Sequence, residues 1–175
     1  MNRQTHSSGF SLIEGLVALT ILSVGLLGIS TMSIQSIRNS NAAQLRTKAV
    51  FFAADMADRV RTNKLALTLD PAAYVSGVGD NGTDGGCTDS VDGAGNVIPA
   101  ANVCTPVEMA EHDIFLWKDL VTDDRNGLPG AEAAIERVGS QPVRLTLSVF
   151  WQEQGEPQRY DLRMQILPPP APAAP

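Results

Sequence analysis

One carboxylate inside a long apolar run constrains this chain more than any other feature. From Phe10 to Ile29 the sequence carries a single charge, Glu14. A charged side chain at bilayer depth costs roughly 2.5–3.5 kcal/mol on insertion scales, so such an acid is normally paired and functional. A helix rising ~1.5 Å per residue needs about 20 residues to cross a hydrocarbon core of about 30 Å, and Phe10–Ile29 meets that length. A secretory signal has a shorter apolar stretch of roughly 7–15 residues, closed by a small-residue cleavage site. No such site follows Ile29; Ser30–Ile37 keeps a helical character instead. Arg3 precedes the span, so the positive-inside bias puts Met1–Gly9 in the cytoplasm and the rest of the chain beyond the inner membrane. Arg38, Arg46 and Lys48 dilute that bias, and two cysteines restore the case for export.

The 175 residues hold 13 Lys+Arg against 19 Asp+Glu, a net charge of −6, which suits one modest domain behind a membrane segment. This acidic balance argues against a broad nucleic-acid surface, and no direct nucleic-acid partner is expected. Cys87 and Cys104 are the only cysteines, and an even count outside the cytosol reads as one disulfide. There is no C-x-x-C spacing, and the only histidines are His6 and His112, so neither a redox centre nor a metal ligand set is expected. His112 lies in a Glu-His-Asp stretch that reads as a solvated helix start. The Asp80–Gly85 stretch resembles the opening of a calcium loop. Its third position is Gly82 and its twelfth is Val91, so the EF-hand pattern fails. Asp89 and Asp92 leave an irregular oxygen site open, against the preferred reading of a solvated loop. No nucleophile motif, phosphate loop or ligand cluster points to an enzyme, and no cofactor is expected.

Between Phe10 and about Lys64 there is no proline, and the last glycine is Gly28. This predicts one helix in two halves, the first apolar all round and the second amphipathic. Leu45, Ala49, Phe52, Met56 and Val60 share one face at helical period, and Asp55 with Arg59 makes an i,i+4 pair. Gly15, Ala18, Gly25 and Gly28 leave small patches where other helices can approach. Asp70-Pro71 ends the helical region, and Gly77–Asn102 reads as loop. A second helix is predicted over Val107–Val121, followed by a turn region at Asp123–Gly130. Strict alternation marks strands at Leu145–Trp151 and Tyr160–Ile166, joined as a hairpin through the polar stretch Gln152–Gln158, with a weaker strand at Ala133–Val138. The predicted fold class is α+β: a long N-terminal helix packed on a small antiparallel sheet.

Gly9-Phe10-Ser11-Leu12-Ile13-Glu14 resembles the class III signal of type IV pilins and related pseudopilins. The resemblance implies a leader ending at Gly9, cleaved by a prepilin peptidase that also N-methylates Phe10, and a subunit-assembly role for Glu14. Leu22–Ile29 and Ala53–Asn63 resemble the minor pilins called type IV pilus modification protein PilV, as, more loosely, do the Trp117 helix, Leu128-Pro129-Gly130 and the strand ending in Trp151. The implied organisation is a leader over 1–9, a membrane or filament-core half-helix over 10–37, an exported pilin-like domain over 38–167, and a mobile Pro/Ala-rich tail over 168–175. Implied partners are other major and minor pilins through the N-terminal helix, the prepilin peptidase, the inner-membrane assembly platform, and membrane lipid before assembly. The expected role is that of a minor pilin in pilus assembly or priming, with effects on twitching motility, adhesion or DNA uptake. The alternatives are a minor pseudopilin of a type II secretion system and a membrane-anchored exported binding domain that never polymerises.

Overall fold

The computed structural model describes residues 12–139 and 142–166. Gly9, Phe10, the leader and the tail beyond Pro168 lie outside the described residues. Two compact units divide the chain, 1–43 and 44–175. The described part of the first is entirely helical and belongs to helix α1, Leu12–Thr62. Its large apolar side chains, Leu16, Ile21, Leu27 and Ile37 among them, are all exposed.

The second unit holds the remainder of α1, helix α2 (Lys64–Leu69), the short hairpin β1 (Ser90–Val91) and β2 (Val97–Ile98), helix α3 (Pro106–Thr122), and strands β3 (Glu132–Val138), β4 (Val143–Glu153) and β5 (Glu156–Ile166). Its main sheet has the order β3-β4-β5, antiparallel throughout. The core forms where three periodic faces meet. From α1 come Ala49, Phe52, Met56 and Val60, with Ala53 and Ala57 beside them. The strand β4 contributes Leu145, Leu147, Val149 and Trp151, all essentially inaccessible to solvent. Helix α3 adds Ile114, Trp117 and Val121. The Trp117 indole donates to Phe52 O at 2.8 Å and so meets its polar requirement, whereas the buried Trp151 Nε1 has no partner among the described residues.

Helix α3 begins at a capping box: Thr105 Oγ1 accepts from Glu108 N at 3.3 Å, and Glu108 Oε2 accepts from Thr105 N at 2.7 Å. Pro106 sits where a missing N–H costs nothing. Beyond its end, Gly127 N bonds Asp123 O and Leu128 N bonds Val121 O. A Cβ at Gly127 would fall 2.4 Å from Val121 O, so only glycine lets the chain fold back this tightly.

The structure bears out the β4–β5 hairpin and shortens its turn. The stretch Gln152–Gln158 is strand on both sides of a two-residue turn, Gln154-Gly155, in which both φ angles are positive. Pro157 lies on β5, an edge strand, where a missing N–H is tolerated, and Gln152, its cross-strand neighbour, donates its N–H to Pro129 O. The Gly77–Asn102 loop likewise contains one small piece of order, the β1–β2 hairpin.

Candidate assembly site

Glu14 lies in the first turn of α1, where the helix dipole favours a negative charge. It is exposed, and among the described residues of 12–37 it is the only charged one. Around it Leu12, Ile13 and Leu16 are exposed as well, so the carboxylate stands on an apolar cylinder without a partner among the described residues. The helix is long and apolar enough to cross a membrane by length and composition. Its hydroxyl groups do not oppose that. Thr20 bonds Val17 O, Ser23 bonds Leu19 O, Ser30 bonds Leu26 O, Thr31 bonds Gly28 O and Ser33 bonds Ile29 O, at 2.7–3.1 Å. The hydroxyl hydrogens of these five residues are therefore satisfied within the helix. Gly25 and Gly28 face open space, leaving room for a neighbouring backbone. Chemically, this surface offers apolar burial to a second helix and a demand for one cation.

The loop after α2 is held down by polar stitches. Cys87 and Cys104 form a disulfide with Cα atoms 5.6 Å apart. Lys118, buried on α3, donates its ammonium to the carbonyls of Gly77 and Asp80; burial lowers its pKa, partly opposed by the Asp80 charge. Gly82, at φ +68, lies against the α3 backbone, where a Cβ would meet Glu111 O at 2.8 Å.

His112 corrects the sequence reading. It is 3 % exposed, not solvated, and sits under the loop with Nε2 2.9 Å from Thr88 Oγ1. Its Nδ1 lies 3.2 Å from Asp84 Oδ1 but is not aligned for a hydrogen bond. The acids of the supposed calcium loop are spent on backbone donors. Asp80 accepts from Gly82 N, Asp84 from Gly86 N, Asp89 from Ala100 N, and Asp92 from Ala94 N and Asn96 N. Among the described residues no group of three or more His, Cys, Asp or Glu is placed to hold a metal ion.

A third cluster joins α1, α3 and the segment after α2. Asp113 accepts from Arg59 Nη1 at 3.2 Å and from the Tyr74 hydroxyl at 2.9 Å, while Asn63 Nδ2 donates to the Tyr74 oxygen and to Pro106 O. Burial, and then the Asp113 carboxylate, push the Tyr74 hydroxyl well above its ordinary pKa. Burial disfavours the Arg59 cation, yet Asp55 and Asp113 outweigh it and raise its pKa. Sequence reasoning found the Asp55–Arg59 pair, now seen at 3.0 Å, but missed Tyr74 and the role of Asp113. No local spacing connects those residues, so no sequence signal marked them.

Residues 4–30 match a family described as Prokaryotic N-terminal methylation motif. No curated protein and no solved structure matches the chain. The matched stretch includes Gly9, Phe10 and Glu14, and it supports a type IV pilin-like or pseudopilin protein. Together with the long apolar helix it fits a membrane-anchored protein that is assembled with other pilins after processing by a prepilin peptidase.

Proposed function

We propose that the chain is a minor pilin of the type IV pilus, of the PilV type, acting in pilus assembly or priming. The observation that carries this reading is Glu14: a lone carboxylate on an exposed apolar helix, within the methylation motif. Cleavage between Gly9 and Phe10 creates a cationic amine, and N-methylation keeps its charge. Buried separately in an apolar filament core, amine and carboxylate are each costly; paired across adjoining subunits, they offset one another. A subunit at the wrong axial offset leaves both unpaired, so the pair also sets register. The segments Leu22–Ile29 and Ala53–Asn63 favour the pilus over a secretion pseudopilus, since they carry the PilV-like resemblance. In this reading residues 10–37 hold the subunit in the inner membrane before assembly, and the 38–167 domain faces the periplasm. The role is structural, without catalysis.

Mass spectrometry of the mature protein tests the proposal. A chain that begins at N-methylated Phe10 and is recovered in sheared pili supports it. A functional chain that retains residues 1–9 overturns it.

A further inference from the structure

Helix α1 runs through three surroundings, and one of them supports it poorly. Residues 12–37 carry the apolar stretch, which by length and composition can cross a bilayer. In hydrocarbon no water replaces a broken backbone hydrogen bond, so an opened turn is costly and the helix is held closed. Further along, Ala49, Ala53, Met56, Ala57 and Val60 are at most 1 % exposed, and Leu45 is the first residue of α1 packed against the core. Tertiary packing holds that half, as it holds most helices in proteins.

Between the two lie Arg38-Asn39-Ser40-Asn41-Ala42-Ala43-Gln44. All seven are helical, and all are exposed except the half-buried Ala42. Arg38 is the first charged residue after Glu14, and its head group belongs in water or among lipid headgroups, so the chain has left the hydrocarbon here. It has not yet reached the core, and the boundary between the two compact units falls after Ala43. A helix shorter than about 12–15 residues is marginal in water on its own. Asn39, Ser40 and Asn41 weaken this one further, because short polar side chains offer the backbone other hydrogen bonds and favour caps and turns. In the apolar half, Ser30 and Ser33 return their hydroxyls to carbonyls of the helix. Ser40 and Asn41 make no side-chain hydrogen bond among the described residues. Asn39 alone of the three is tied, accepting from Gln35 Nε2 at 3.1 Å.

We propose that α1 opens locally at Asn39–Asn41, a hinge that lets the 44–175 unit change its angle to the membrane while the apolar half and the packed half both stay helical. The hinge follows from a gap in support: lipid holds the helix up to Ile37, the core holds it from Leu45, and neither reaches the weakest helix formers between them. It rests on bilayer burial of residues 12–37 and not on assembly into a pilus, so it can fail while the pilin role stands.

The test follows hydrogen–deuterium exchange of the full-length protein in nanodiscs of phosphatidylethanolamine and phosphatidylglycerol. Amides of residues 39–45 are expected to exchange at least about tenfold faster than those of 16–36 and of 49–60. Asn39→Ala combined with Ser40→Ala and Asn41→Ala, three exposed positions, is expected to slow them severalfold and leave both flanks unchanged. A second measurement places spin labels on Ser33→Cys and Arg46→Cys, about 20 Å apart along an unbroken helix, with Cys87 and Cys104 left paired. A broad distance distribution that narrows in the triple-alanine chain supports the hinge. Protection at 39–45 equal to that of the flanks, exchange indifferent to the three alanines, or a narrow distribution without them overturns it. Fast exchange across 16–36 as well overturns both the hinge and the bilayer placement beneath it.

Discussion

The Tyr74 hydroxyl donates to Asp113 Oδ2 at 2.9 Å, and Arg59 holds the other carboxylate oxygen at 3.2 Å. Two separate segments are thus tied to one buried carboxylate on α3. A hydrogen bond to a charged group contributes roughly 1.5–3 kcal/mol, so Tyr74→Phe should lower stability by about that amount, read from the denaturant midpoint of the full-length protein in detergent. The same bond makes stability fall in alkali. The Tyr74 pKa is raised in the folded state above its unfolded value of about 10. Its contribution is therefore complete below that pH and is lost as pH rises toward the folded value. Tyr74→Phe should flatten the alkaline limb of the stability profile; an unchanged limb would contradict the assignment.

The disulfide closes the segment from Cys87 to Cys104. In the chain-entropy model a loop of this size contributes about 3 kcal/mol. Replacing both cysteines by serine should cost on that order in thermal or denaturant unfolding. Hydrogen exchange should rise first in residues 87–104, because Lys118 still anchors Gly77 and Asp80.

At acid pH one weak point is the start of α3. Hydrogen bonding to the Thr105 N–H holds the Glu108 carboxyl below its ordinary value. The capping contribution is then fully present above the unfolded value of about 4.3 and lost as pH falls through the folded one. Glu108→Gln should flatten stability against pH in that window, measured by circular dichroism. Thr105→Ala should cost about 1 kcal/mol at neutral pH.

Glu14→Ala removes the lone charge of the apolar span without adding a cost in lipid. Membrane fractionation should find the variant inserted as fully as the parent. Its recovery in sheared pili, scored by immunoblot, should fall severalfold. Normal incorporation would show that the carboxylate is dispensable for assembly.

Much of this fold is legible residue by residue, for a specific reason. The long helix, the second helix and the strands around Leu145–Trp151 and Tyr160–Ile166 follow from periods of apolar side chains, which depend only on near neighbours. The methylation motif is equally local, since Gly9, Phe10 and Glu14 lie within one stretch. The hairpin at Gln152–Gln158 was legible too, and only its turn is tighter than expected, because polarity and Pro157 imitate a loop while the outer edge of a sheet tolerates both.

The amino-acid order by itself determined the apolar span, its single acid, the amphipathic face of α1 and the α+β class. Tertiary structure alone decided that His112 is buried, that Lys118 grips two carbonyls, and that Tyr74, Asp113 and Arg59 meet. Periodicity reports how one element turns toward solvent or core, whereas a buried polar bond depends on which distant segments are packed face to face.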